Sequence, residues 1–286
     1  MALIQALAQL RAQMAEESAL SDYLEIKTGI ALELDDMAAL FDKDEENTCV
    51  CIDWLDVEGE LWLVALRPAQ GPIARKLDLT LAQVQAFIKQ NLSSEAFRST
   101  LRDMPEILNA LDPLIAPLAE LTKPEEHLVL VPTGVLHALP LHALQLEGKL
   151  LIERNIVSYC PSLSILRQCI SRQRQTGEQA AALSLLGDPS GDRLHAAQLV
   201  EYLSQRYLAK RFVGDQVNKD TFIQQVKQSD ILHFQGHAQH KSSDPLSSFL
   251  LLSDGELSAR DIFTLSGVSA ELVTLGACES AANVIK

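Results

Sequence analysis

From about residue 127 onward, short apolar runs alternate with amphipathic ones, and this rhythm leaves few folds open. "HLVLVP" (127–132), "AALSLLG" (181–187), "DILHFQG" (230–236) and "AELVTLGA" (270–277) have strand length. Between them lie "SLSILRQCISRQ" (162–173), "RLHAAQLVEYLSQRY" (193–207) and "NKDTFIQQVKQ" (218–228), which carry apolar residues at helical spacing. Asn218 is placed to cap the last of these helices. "KRFVG" (210–214) adds a short strand, "SSFLLLSDGELS" (247–258) a hairpin and "SARDIFTL" (258–265) a short helix. Strand and helix in alternation, joined by short loops, imply a mostly parallel sheet with helices on both faces.

The front of the chain reads differently. Residues 3–20 place Leu3, Ile4, Leu7, Leu10 and Met14 on one helical face, which suits the tail of a helical region. "TCVCIDWLDVEGELWLVAL" (48–66) is two β-runs around Glu58-Gly59, a hairpin. Residues 80–122 are mostly helical, with breaks at "LSSEA" and around Pro113 and Pro117. The expected organisation is an N-terminal helix over 1–24, a hairpin-plus-helix region over 25–125 and an α/β core over 126–286.

Composition narrows the function. The net charge of −14 disfavours a nucleic-acid partner, because phosphate binding needs a basic face. No apolar run approaches the ~18 residues that a membrane helix requires. The start, "MALIQALAQLRAQMAEES", lacks the basic head and cleavage site of a secretory signal. Five irregularly spaced cysteines do not form a disulfide framework. A cytoplasmic protein is expected, with Cys49, Cys51, Cys160 and Cys169 buried and reduced.

Sites in parallel α/β sheets form where the carboxyl ends of the strands gather. "DILHFQGHA" puts His237 just past one strand end, and "ELVTLGACES" puts Cys278 at the equivalent place on another. An imidazole beside a thiol activates it, since a free thiol is mostly protonated at neutral pH. Gly236 would let the backbone turn sharply, and its N–H with that of Cys278 could receive an oxyanion. A lone histidine or cysteine near a strand end more often has a packing or hydrogen-bonding role, and metal ligation by His233, His237 and His240 is a lesser rival. Against metal, no helix crosses "FQGHA" to align the three imidazoles, so none is expected. His233 alternates with Leu232 and Phe234 and reads as a strand residue. His137 and His142 in "VLHALPLHAL" suit a helix entry. Asp188 and Asp244 suit turn and cap roles better than recognition of a basic substrate residue. Nucleotide binding has no support: "GDPSGD" lacks the lysine or third glycine of a phosphate loop.

Four stretches, in order, resemble the CHAT family of caspase-like proteins: "LVLVPTGVLHALPLHAL" (128–144), "LLGDPS" (185–190), "DILHFQGHA" with "DPLSSFLLLSDGELSARDI" (244–262), and "LVTLGACESA" (272–281). The resemblance implies a caspase-like α/β sandwich and peptide-bond hydrolysis through an acyl-enzyme. It makes His237 the general base, Cys278 the nucleophile and Gly236 a backbone donor of the oxyanion hole, without metal or organic cofactor. It further implies a protein or peptide substrate, control by a helical-repeat or sensor region, and a role in stress, immune or cell-death circuits. A catalytically silent scaffold that keeps the fold and binds partner proteins is the alternative. Ala238 stands where the family usually has glycine, and Gly276 where serine is common; neither change removes a reacting group. The family pattern continues past the cysteine block, so a chain ending eight residues after Cys278 reads as a fragment.

Overall fold

The computed structural model describes residues 49–67, 70–92, 105–172, 181–241 and 243–277. The expected N-terminal helix over 3–20 and the residue Cys278 lie outside this set. The chain divides into two compact units, the described residues up to Ser171 and those from Arg172.

The first unit is built on the hairpin. Strands β1 (Cys49–Val57) and β2 (Glu60–Leu66) pair antiparallel around Glu58 and Gly59. Both turn residues have positive φ, 55° and 85°, as a tight hairpin turn demands. β3 (Ile73–Lys76) extends β2, while β4 (His127–Val131) runs parallel to β1 and β7 (Ile156–Tyr159) parallel to β4. β5 (Gln145–Leu146) and β6 (Lys149–Leu150) form a separate two-stranded ribbon. β4, which its sequence rhythm groups with the later core, is therefore hydrogen-bonded into the hairpin sheet.

Strand alternation explains the layering of this unit. Val50, Ile52 and Trp54 of β1 point into one core with Leu128 and Leu130 of β4. That face is covered by helix α1 (Leu81–Asn91) and by the segment Pro105–Leu114. The indole N–H of Trp54 donates to the Leu114 carbonyl at 3.0 Å, so this buried ring leaves no polar atom unsatisfied. Cys51, Val129, Val131 and Cys160 occupy the opposite face with Leu163, Leu166 and Ile170 of helix α2 (Leu163–Arg172). Cys51 and Cys160 are buried, as expected, but Cys49 is only partly buried and Cys169 is exposed. At 100° per residue it falls roughly 90° away from the Leu163–Leu166–Ile170 stripe.

The second unit carries the expected alternation. β8 (Leu183–Gly187), helix α3 (Leu194–Arg206), β9 (Ala209–Val213), helix α4 (Lys219–Gln228), β10 (Ile231–Gln239) and β13 (Leu272–Ala277) build the parallel order β9-β8-β10-β13. Between β10 and β13 the chain makes the hairpin of β11 (Phe249–Leu252) and β12 (Gly255–Ser258), then the short helix α5 (Ala259–Phe263). The Asn218 side chain accepts the Thr221 N–H and caps α4.

Helices cover both faces of this sheet. Ser184 of β8 bonds Gln225 of α4 at 3.0 Å, and Leu186, Leu232 and Phe234 join Phe222 and Val226 in the core beneath α4. On the opposite face a Cβ at Gly187 would lie 2.7 Å from Val200 Cγ2 of α3, so glycine lets that helix approach closely. The architecture is the mixed, mostly parallel α/β arrangement that the sequence predicts.

Candidate functional site

His237 stands at the centre of the site. It lies inside β10, not just past its end as the apolar run suggests. Up to Gln235 the strand pairs with β8, and up to Gly236 with β13. From His237 to Gln239 it pairs antiparallel with β11, His237 facing Leu251. The apolar pattern stops at Gly236 because the parallel neighbours stop, yet the ladder continues with a new partner.

Gly236 makes no sharp turn, contrary to expectation: its backbone stays extended in β10, outside the positive-φ region that some other glycines of the chain adopt. The need for glycine is one of space. A Cβ there would sit 2.7 Å from Phe234 Cζ and 3.1 Å from Pro189 Cδ. Pro189 belongs to the loop after β8, so Gly236 lets that loop close onto β10.

The same loop brings two charged side chains to His237. Asp188 adopts φ 49° and Gly191 φ 72°, which folds residues 188–193 back on themselves. The N–H of Asp188 donates to the Gln235 carbonyl at 2.9 Å, and its buried carboxylate accepts the N–H of Arg193 at 2.8 Å. Asp188 thus has the turn role expected of it. Asp244 likewise binds the Ser247 hydroxyl and faces Arg260 at 3.7 Å.

Held this way, Asp192 places Oδ1 at 3.0 Å and Oδ2 at 3.2 Å from His237 Nε2. Arg193 lies against the same ring, Nε 3.0 Å from Nε2 and Nη2 3.1 Å from Nδ1. The Asp192 carboxyl is held below its ordinary range, first by the Ser190 hydroxyl and then by His237. Neither Asp192 nor Arg193 is singled out by sequence patterning. Their available signal is the Asp-Pro-x-Gly-Asp turn placed directly after an apolar strand.

The other histidines have separate partners. His233 shares the His237 face of β10 but lies four residues away, about 13 Å along a strand. Its Nδ1 contacts the Thr274 hydroxyl of β13 at 2.6 Å, and burial pushes its pKa down. His240 Nδ1 contacts the Ser248 hydroxyl at 3.2 Å. Among the described residues, no three His, Cys, Asp or Glu side chains converge as a metal ligand set. In the first unit, His142 Nδ1 lies 2.9 Å from the Tyr159 hydroxyl, and burial lowers the pKa of His137.

The β10–β13 register bears on Cys278. Its pairs run from Ile231–Leu272 to Gly236–Ala277. In sequence, His237 directly follows Gly236 of that last pair and Cys278 directly follows Ala277.

The model of the CHAT domain family matches residues 105–286, well over half of the chain. No curated protein matches the sequence.

Proposed function

This chain belongs to the CHAT domain family, and from that premise we propose that it is a cysteine endopeptidase with His237 as general base and Cys278 as nucleophile. The observation that carries the reading is the in-register pair Gly236–Ala277. Adjacent strands lie about 4.8 Å apart, so the pair brings the two segments side by side at the positions directly before His237 and Cys278 in sequence. Imidazole and thiol at those two positions have the chemistry of an activated nucleophile.

In the proposed reaction His237 takes the Cys278 proton as sulfur attacks the scissile carbonyl. The same proton then passes to the leaving amine, and water activated by His237 hydrolyses the thioester. The backbone N–H groups of Gly236 and Cys278 are the proposed donors to the developing oxyanion.

The proposed substrate is a protein or peptide, with control by a helical-repeat or sensor region and a cytoplasmic setting in a stress or cell-death circuit. Among the described residues, no helix is long and apolar enough to cross a membrane.

A peptide-library cleavage profile tests the reading on the complete protein. Cys278→Ala and His237→Ala are each expected to abolish cleavage while leaving far-UV circular dichroism unchanged. Cleavage that survives Cys278→Ala removes the nucleophile assignment. No cleavage by the parent, with Cys278 alkylated by iodoacetamide no faster than exposed Cys169, leaves the scaffold role.

A further inference from the structure

We propose that Asp192 is a positioning residue for His237: its carboxylate fixes the proton on Nε2 and leaves Nδ1 as the basic nitrogen. This deepens the peptidase reading and rests on it for the role of the base, but the tautomer assignment stands on its own geometry. A carboxylate can only accept and a guanidinium can only donate. Nε2 has both for neighbours, at 3.0 Å from Asp192 Oδ1 and 3.0 Å from Arg193 Nε. A proton on Nε2 gives Asp192 a donor and leaves the Nδ1 lone pair to Arg193 Nη2, 3.1 Å away. A proton on Nδ1 instead would point an N–H at the guanidinium and turn the Nε2 lone pair toward the carboxylate. The first arrangement satisfies two of the three contacts and sets the Nε2 proton against the Arg193 Nε–H alone, whereas the second satisfies only that Arg193 Nε contact.

The support for Asp192 is built into the fold. The Ser190 hydroxyl donates to the same carboxylate oxygen, which reduces its freedom to rotate away. The Asp188 carboxylate holds the Arg193 N–H at 2.8 Å, the Asp188 N–H holds the Gln235 carbonyl at 2.9 Å, and Pro189 packs on Gly236. The Asp188–Arg193 bond closes the loop on itself, and the contacts to Gln235 and Gly236 tie it to β10, the strand that carries His237. A carboxylate that sets the tautomer of a base acts through orientation as well as charge.

The test is nitrogen-15 NMR of selectively labelled histidine in the full chain at a pH where His237 is neutral, with His237→Gln to assign the signal. The parent is expected to show the Nε2–H tautomer, and Asp192→Asn a mixed population. Asp192→Glu should restore part of the parental preference. An unchanged tautomer population in Asp192→Asn overturns the proposal, as does a parental signal of the Nδ1–H form. Iodoacetamide labelling of Cys278 at pH 7 separates this inference from the peptidase reading. Asp192→Asn should slow labelling about threefold, in keeping with an exposed charged pair. His237→Ala should slow it further. If His237→Ala leaves the rate at the parental value, the dyad reading fails even where the tautomer result stands.

Discussion

At the scale of single residues, the chemistry around His237 depends on which neighbour holds which ring nitrogen. Arg193 contacts Nδ1, the nitrogen that would take the thiol proton. In this conformation the guanidinium occupies the lone pair that catalysis needs, and the side chain must swing aside for His237 to act. Arg193 is exposed, which makes that movement inexpensive. Arg193→Ala is therefore expected to raise the rate of Cys278 alkylation at pH 7 by about threefold, the reverse of Asp192→Asn. A rate that falls in Arg193→Ala would mean that the guanidinium supports the imidazole instead of blocking it. His237 was singled out from sequence by its place after an apolar strand and Gly236 together with the CHAT resemblance, since the spacing alone suits a packing residue as well. Asp192 and Arg193 were not. Their approach depends on the positive φ of Asp188 and Gly191, and a string of turn-forming residues does not reveal which strand the turn folds back upon.

At the scale of elements, most strands and helices follow from apolar periodicity, and the departures have physical causes. β10 runs three residues beyond its apolar pattern because β11 takes over the pairing from β8 and β13. A strand that changes neighbours also changes which residues are buried, so alternation fails at the changeover. β1 shows a second kind of departure. It is buried on both faces between β2 and β4, yet it carries Asp53 among apolar residues, paired to Val64 and Val131. Burial raises the Asp53 pKa from 3.8 to about 6 despite a hydrogen bond from the Trp54 backbone. The fold thus favours the protonated form. The stabilisation from binding that proton is fully present below pH 3.8, declines as pH rises toward 6, and is absent above it. Asp53→Asn keeps the shape without the charge. It should raise stability by about 2 kcal/mol at pH 8 and by much less at pH 4. Urea denaturation at the two pH values measures the difference. An equal gain at both would show that the charge is not the cause.

At the scale of the whole molecule, the two units have separate apolar cores, one around Trp54, Leu114 and Leu130 and the other around Leu186, Phe222 and Phe234. Trp54 and Trp62, the two tryptophans of the sequence, both lie on the hairpin sheet of the first unit. Tryptophan emission therefore follows the first unit, while far-UV circular dichroism follows helices and strands of both. Gly236→Ala places a methyl group 2.7 Å from the Phe234 ring, in the core of the second unit. Overpacking of this kind costs about 1–3 kcal/mol. If each core unfolds on its own, the substitution moves part of the dichroism transition to lower urea while the fluorescence midpoint holds. Asp53→Asn at pH 8 should do the converse, raising the fluorescence midpoint and leaving the second part of the dichroism transition in place. A common shift of both probes with either substitution would show that the units unfold as one cooperative body. Independent unfolding has a consequence for the site. His237, Asp192 and Arg193 all lie in the second unit, so their arrangement would depend on the Phe234 core and its close fit with Gly236 and Pro189. Gly236→Ala should then disturb the His237 tautomer as well as stability, and Asp53→Asn should leave that tautomer unchanged.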